Sequence, residues 1–143
     1  MTIRKAGLDD LNQIYLIEKD VFSNEHWTLE MVESELKNFL GTTTWIIEES
    51  TVILGYCMLR IVCNEANIIN MAIKSSRQKE GLGSFLLGYV LNQLPMNSSV
   101  FLEVKEGNLS AINLYHRLGF KVINLRRNYY KDGRTALIMH LEH

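Results

Sequence analysis

Apolar and polar residues change their spacing several times along this chain, and each change marks an element. Ile3 to Ala6 predicts a short first strand. After Asp9 and Asp10, either of which can cap a helix, Leu11, Ile14, Tyr15, Glu18 and Phe22 recur at helical spacing, all but Glu18 apolar. Thr28 opens a second helix whose Leu29, Val32, Leu36, Phe39 and Leu40 form one apolar stripe, with Gly41 placed to end it in a left-handed turn. From Thr43 the pattern becomes strand-like, with runs from Thr43 to Glu48, Val52 to Val62 and Ala66 to Ile73 separated by short turns. Strands joined this closely predict an antiparallel meander.

A polar loop, Lys74 to Glu80, then leads into Gly81-Leu82-Gly83 and a strongly apolar helix through Leu94, closed by Pro95. Val100 to Lys105 reads as a buried strand, Asn108 to Leu118 as a helix stopped by Gly119, and Phe120 to Arg127 as a strand. Arg134 to His140 completes the series after the turn signal Asp132-Gly133. This order predicts a mixed α/β (α+β) fold: a central, mostly antiparallel sheet with helices on both faces, because strand-helix-strand units force parallel crossovers whereas a meander does not.

Composition bounds the picture further. With 143 residues, 47% of them hydrophobic and 22% charged, the chain can bury an ordinary core as one domain, which excludes disorder and collagen-like order. We assign that domain to residues 1–140 and set aside Leu141-Glu142-His143 as the junction of a truncated histidine tag. A formal charge of −1 offers no long-range attraction for nucleic acid or an anionic membrane, so any bound anion needs a local site. No stretch has the apolar length of a signal peptide or membrane span, which predicts a cytoplasmic protein. Cys57 and Cys63 lack Cys-x-x-Cys spacing, the four histidines lack compact metal spacing, and no Gly-x-Ser-x-Gly elbow occurs; neither metal nor disulfide is expected.

The candidate anion site is the loop and helix start at residues 78–84, after the strand ending Asn70-Met71-Ala72-Ile73. The first N–H groups of a helix have no internal partners and suit a phosphate or pyrophosphate, and glycines at 81 and 83 allow close backbone approach. The Walker and dinucleotide fingerprints both fail, since no Gly-Lys-Ser/Thr follows and Leu86 stands where a third small residue is needed. On spacing alone the glycines serve equally well as a simple strand-to-helix turn. Glu103, an acid within an apolar strand, needs a reason: a basic neighbour, solvent at the strand end, or catalysis. Tyr115 fits a core aromatic or a proton donor, and Asn108 is a natural helix cap.

Gln78-Lys79-Glu80-Gly81-Leu82-Gly83 resembles the pyrophosphate loop of the GNAT N-acetyltransferases, Gln/Arg-x-x-Gly-x-Gly/Ala. Asn70-Met71-Ala72-Ile73, Leu102-Glu103-Val104, Leu114-Tyr115, Arg126-Arg127-Asn128-Tyr129-Tyr130 and Asp132-Gly133-Arg134 resemble segments of its RimI branch, the ribosomal-protein-alanine N-acetyltransferases, in the same order. The resemblance implies a GNAT-like fold and acetyl-CoA as co-substrate. Met71, Ala72 and Ile73 would meet the thioester and pantetheine, residues Gln78, Lys79, Glu80, Gly81, Leu82, Gly83 and Ser84 the pyrophosphate, and Asn108 the CoA. Glu103 is implied as general base, through water, and Tyr115 as proton donor to the thiolate. Trp27, Tyr129 and Tyr130 would border the peptide groove, and Arg77 and Lys79 would add positive charge at the loop. Glu80 departs from the pattern, since an acid there opposes pyrophosphate unless it turns to solvent. Desolvation of Glu103 would make it a better base.

The implied acceptor is a protein N-terminus, with the N-terminal alanine of a small-subunit ribosomal protein foremost. Two other readings stay open: acetylation of lysine or a small amine by the same fold, and an acyl-CoA-binding module without turnover.

Overall fold

The computed structural model describes residues 1–37 and 41–143. The chain runs β1 (Thr2–Lys5), α1 (Leu11–Phe22), α2 (Leu29–Leu36), β2 (Thr42–Glu49), β3 (Val52–Val62), β4 (Glu65–Ile73), α3 (Leu82–Asn92), β5 (Ser99–Lys105), α4 (Leu109–Arg117), β6 (Lys121–Arg126) and β7 (Ala136–Glu142). Short 3-10 turns at Leu8–Asp10, Ser23–Glu25 and Ser75–Arg77 fill three connections. Phe39 and Leu40, assigned above to the stripe of the second helix, lie outside the described residues.

Of the two helix starts read from the sequence, one differs in its chemistry and one agrees. Asp10 precedes α1 but does not cap it with its side chain; the carboxylate instead accepts from Gly7 N–H at 2.9 Å and pairs with Arg4 at 2.9 Å. This ion pair and hydrogen bond hold the Asp10 carboxyl below the ordinary carboxylate range. Thr28 does cap α2, its Oγ1 accepting from Met31 N–H at 3.2 Å.

The seven strands form one sheet in the order β1-β2-β3-β4-β5-β7-β6. The β2-β3-β4 meander is antiparallel as expected, and β4 with β5 is the parallel pair, joined by α3. The hairpin β6–β7 folds back so that β7 inserts between β5 and β6, an order that periodicity does not encode. β7 runs through Leu141 and Glu142, opposite Val100 and Ser99, so the sheet extends past the boundary drawn at 140.

Alternation along the strands splits the core by face. One face packs Ile46, Tyr56, Met58 and Ala72 against Ile14, Ile17, Val32 and Leu36 of α1 and α2. The other packs Cys57, Leu59, Ile68, Leu102 and Val104 against Leu86, Leu87, Val90 and Tyr115 of α3 and α4. Helices therefore cover both faces.

The feature that positions the site is a parting of two neighbouring strands. β4 pairs with β5 only from Glu65 to Ile68, opposite Ser99 to Leu102. Beyond that point β4 continues to Ile73 and β5 to Lys105, and the β5-facing backbone groups of Ile69 to Ile73 have no strand partner.

Candidate active site

A cavity of about 1170 Å³ fills this parting. Met71, Ala72 and Ile73 line it from β4, and Gln78, Lys79, Gly81, Leu82, Gly83 and Ser84 from the glycine loop. Glu103, Asn108 and Tyr115 line its centre, and Trp27, Tyr129 and Tyr130 its far wall. Residues up to 113 positions apart in sequence thus meet around one space, between Glu18 and Lys131 at the extremes.

Glu80 is the exception and a correction. Its carboxylate turns away from the cavity to Arg77, whose Nε lies 3.1 Å from Glu80 Oε2. Arg77 also contacts Glu49 at 3.4 Å, and both acids raise its pKa, Glu80 foremost. The positive charge expected from Arg77 at the loop is therefore neutralised in place. Ion pairing to a nearby guanidinium is what draws Glu80 out.

The loop is built from backbone. Gln78 Nε2 donates to Ile73 O at 2.9 Å, tying the loop to the end of β4. Gly81 sits at φ +83° with no atom near a would-be Cβ, so the left-handed conformation is what calls for glycine. Gly83 packs closely: a Cβ there would lie 3.3 Å from Leu114 Cδ2, with Ile73 and Met71 just beyond, so the Leu114 side chain would have to give by a few tenths of an ångström. The first bond of α3 runs from Phe85 N–H to Gly81 O at 3.0 Å, which leaves the N–H groups of Leu82, Gly83 and Ser84 without helical partners.

Tyr115 is 8% exposed, with its ring edge-on to Phe120 at 5.9 Å. Burial raises its pKa, so the phenol stays protonated well above neutral pH. Asn108 caps α4 through Oδ1, which accepts from Ala111 N–H at 3.4 Å, and its amide N–H groups remain available toward the cavity.

Glu103 has the basic neighbour that is one of the readings the sequence leaves open for it. It alternates with buried Leu102 and Val104, so it projects to the α1/α2 side of the sheet, where it is exposed and ion-paired with Arg126 at 3.3 Å. It is not desolvated. Arg126 in turn stacks over Tyr129 at 5.5 Å, and Tyr129 meets Tyr130 edge-on at 5.2 Å. The far wall is closed by Lys105, whose Nζ bridges Glu25 at 3.2 Å and Asp132 at 2.7 Å. No residue-type pattern signals that contact across 80 positions.

Sequence reasoning passed over Glu18 and Asn70, which also line the cavity. The available signal was an acid on an otherwise apolar helical stripe.

Comparison with known proteins decides the family. Residues 8–120 match the Acetyltransferase (GNAT) family. The chain belongs to the GNAT acetyltransferases. Among GNAT relatives, the [ribosomal protein bS18]-alanine N-acetyltransferase of Escherichia coli K12 is 38% identical over 145 residues, covering 98% of this chain and 96% of the relative. An N-alpha-acetyltransferase of Sulfurisphaera tokodaii is 29% identical, covering 96% and 90%. The crystal structure of the ribosomal-protein-S18-alanine N-acetyltransferase from E. coli superposes with a TM-score of 0.90 over 99% of this chain and 92% of that one, at 29% identity. The mixed, mostly antiparallel sheet with helices on both faces is thus the GNAT fold, and acetyl-CoA-dependent N-acetyl transfer is its chemistry.

Both cysteines stand apart from that chemistry. Cys57 is fully buried beneath the site, and burial pushes its thiol up to about 12, whereas Cys63 is exposed. A thiol titration of the native protein should register one fast equivalent, from Cys63, and a second only after denaturation. Two fast equivalents would show that Cys57 is accessible.

Proposed function

We propose that this enzyme acetylates the N-terminal α-amine of a protein in the cytoplasm, with the N-terminal alanine of ribosomal protein bS18 as acceptor. The observation that carries this reading is the cavity through the sheet, with the glycine loop on one side and Trp27, Tyr129 and Tyr130 on the other. Its acceptor follows the near-full-length likeness to the E. coli enzyme.

The residues present fit acetyl-CoA. Ile69 to Ile73 offer an unpaired strand edge to an extended amide chain such as pantetheine, and the free N–H groups at the start of α3 suit its pyrophosphate. When bound, acetyl-CoA supplies an activated acetyl thioester. Met71, Ala72 and Ile73 then orient it through backbone groups, and Gly81, Leu82, Gly83 and Ser84 hold its phosphates. Asn108 donates its amide while still capping α4.

The acceptor amine enters from the α1/α2 side, where Glu103 lies. Glu103 takes the proton of the α-ammonium through water, which its exposure admits. Tyr115, on the α3/α4 side, donates its hydroxyl hydrogen bond to the departing sulfur. The two groups thus act from opposite faces of the parted sheet, and no covalent enzyme intermediate is called for.

Mass spectrometry of a bS18 N-terminal peptide incubated with the protein and acetyl-CoA should show one acetyl group on the α-amine. A preference for the same peptide with a blocked N-terminus and a free lysine would overturn the assignment. CoA binding without any transfer would instead mark a binding module.

Glu80→Gln bears on the loop. Releasing Arg77 from its nearer acid should tighten CoA binding by about two- to fivefold at low salt, with the gain fading as salt rises. Calorimetric titration with CoA at two ionic strengths reads both effects; unchanged affinity would mean that Arg77 stays held by Glu49.

A further inference from the structure

The mechanism above leaves Glu18 without a task, although it is the most thoroughly buried acid of the described residues, at 1% exposure, and lines the cavity. Burial of a carboxylate is costly unless it is fully hydrogen-bonded. Its three partners come from three different elements. Oε1 accepts from the Tyr56 hydroxyl on β3 and from Asn70 Nδ2 on β4 at 2.5 Å. Oε2 accepts from the backbone N–H of Trp27 at 2.8 Å. Burial and the Glu18 charge raise the Tyr56 pKa, so that hydroxyl remains a donor.

These partners belong to both halves of the site. Trp27 stands in the acceptor wall, and its backbone lies in the connection between α1 and α2 with only short 3-10 structure around it. Asn70 immediately precedes Met71, Ala72 and Ile73, the segment where β4 has parted from β5. We propose that Glu18 is a positioning residue that ties the acceptor wall at Trp27 to the acetyl-CoA-binding end of β4, fixing the distance between the two substrates. The inference rests on the peptide-acetylating reading of the cavity and adds a determinant of how the peptide is held. Near-attack placement is sensitive to shifts of about 1 Å, so a tether spanning the two half-sites acts on acceptor binding and turnover. Acetyl-CoA binding, which relies on the backbone of β4 and α3, is affected little.

Glu18→Ala strands three buried hydrogen-bond donors and risks unfolding. A paired exchange avoids this. Asn70→Asp sets a second carboxylate against Glu18, whereas Glu18→Gln in the same background restores complementarity: the new amide donates to Asp, its carbonyl still accepts from Trp27 N–H, and the Tyr56 hydroxyl, already beside position 70, turns to donate to the Asp carboxylate. For N70D, the acceptor-peptide KM should rise about tenfold with the CoA dissociation constant within about twofold. Hydrogen exchange at the Trp27 amide should accelerate by about tenfold or more. In E18Q/N70D both should return to within about threefold of the parent.

An unchanged acceptor KM in N70D, or an unrestored one in a folded double variant, overturns the proposal. So does a joint rise in KM for both substrates with Trp27 exchange unaltered, the mark of general loosening. If the parent protein acetylates no N-terminal peptide, the functional reading fails by itself. Trp27 exchange still reads the tether then, and unaltered exchange in N70D removes it.

Discussion

Tyr115→Phe should lower kcat by about 10- to 150-fold while leaving CoA affinity within about twofold. The magnitude follows from the kind of help a buried phenol can give. A phenol has an ordinary pKa of about 10 against about 8.5 for a thiol, so full proton transfer to the departing thiolate is uphill by about 2 kcal/mol. Burial raises the Tyr115 pKa further and makes transfer harder still. What remains is a hydrogen bond to a developing anion, worth about 1.5–3 kcal/mol, which converts to the stated loss. A full general-acid role would cost up to about 10⁴-fold, so the size of the loss discriminates between the two.

The pH dependence follows from the sign of the shift. Because its folded pKa lies above the ordinary value, Tyr115 stays protonated as pH rises from 7 to about 9, and the loss in the Phe variant should be the same at both ends. The substituted ring keeps its packing against Phe120, so thermal unfolding should move little. Steady-state kinetics with a bS18 peptide, beside CoA titration, read these outcomes. A loss below about threefold, or one confined to the acetyl-CoA KM, would remove the hydroxyl from the chemical step.

The contrast between Tyr115 and Glu103 also marks where the sequence was legible. Elements whose identity is local read well. The apolar run after Gly81 is α3, the apolar run of 52–62 is β3, and Asn108 is a cap. Each depends on neighbours within a turn or a strand pair. Parting of β4 from β5 depends on what packs over both faces, and neither Ile69 to Ile73 nor Glu103 to Lys105 carries a mark of it.

The same holds for electrostatics. An acid inside Val100-Phe101-Leu102-Glu103-Val104 looks buried when read along the strand, but it occupies the outward phase of the alternation and finds Arg126 from β6. Glu18 is the reverse case: an acid on an apolar stripe that does go inside, because Tyr56, Asn70 and Trp27 supply its hydrogen bonds from three other elements. Glu80 turned outward because Arg77 stands one turn before it. For Glu103 and Glu18 the partners, absent from the local pattern, decide where the charge goes; for Glu80 the partner is local.

That outward placement of Glu103 shapes the second large effect. With glutamine at 103, kcat/KM for an N-terminal peptide should fall by about 100-fold near pH 6.5 and by about tenfold or less near pH 9. An α-amine has a pKa of about 7.7–8.0, so about one in twenty is neutral at the lower pH and more than nine in ten at the higher. A base is needed only for the charged fraction. Raising the pH therefore performs in solution what the carboxylate performs in the site, and the variant recovers as the amine loses its proton unaided.

Solvent access and the Arg126 ion pair suit a base that works through water. A lysine acceptor, with a pKa of about 10.4, would keep the deficit across the whole range, so the shape of the profile also reports which amine is used. Parallel pH–rate profiles of the parent and variant would contradict proton removal by Glu103. They would leave its exposed carboxylate with a binding role beside Arg126 and Tyr129.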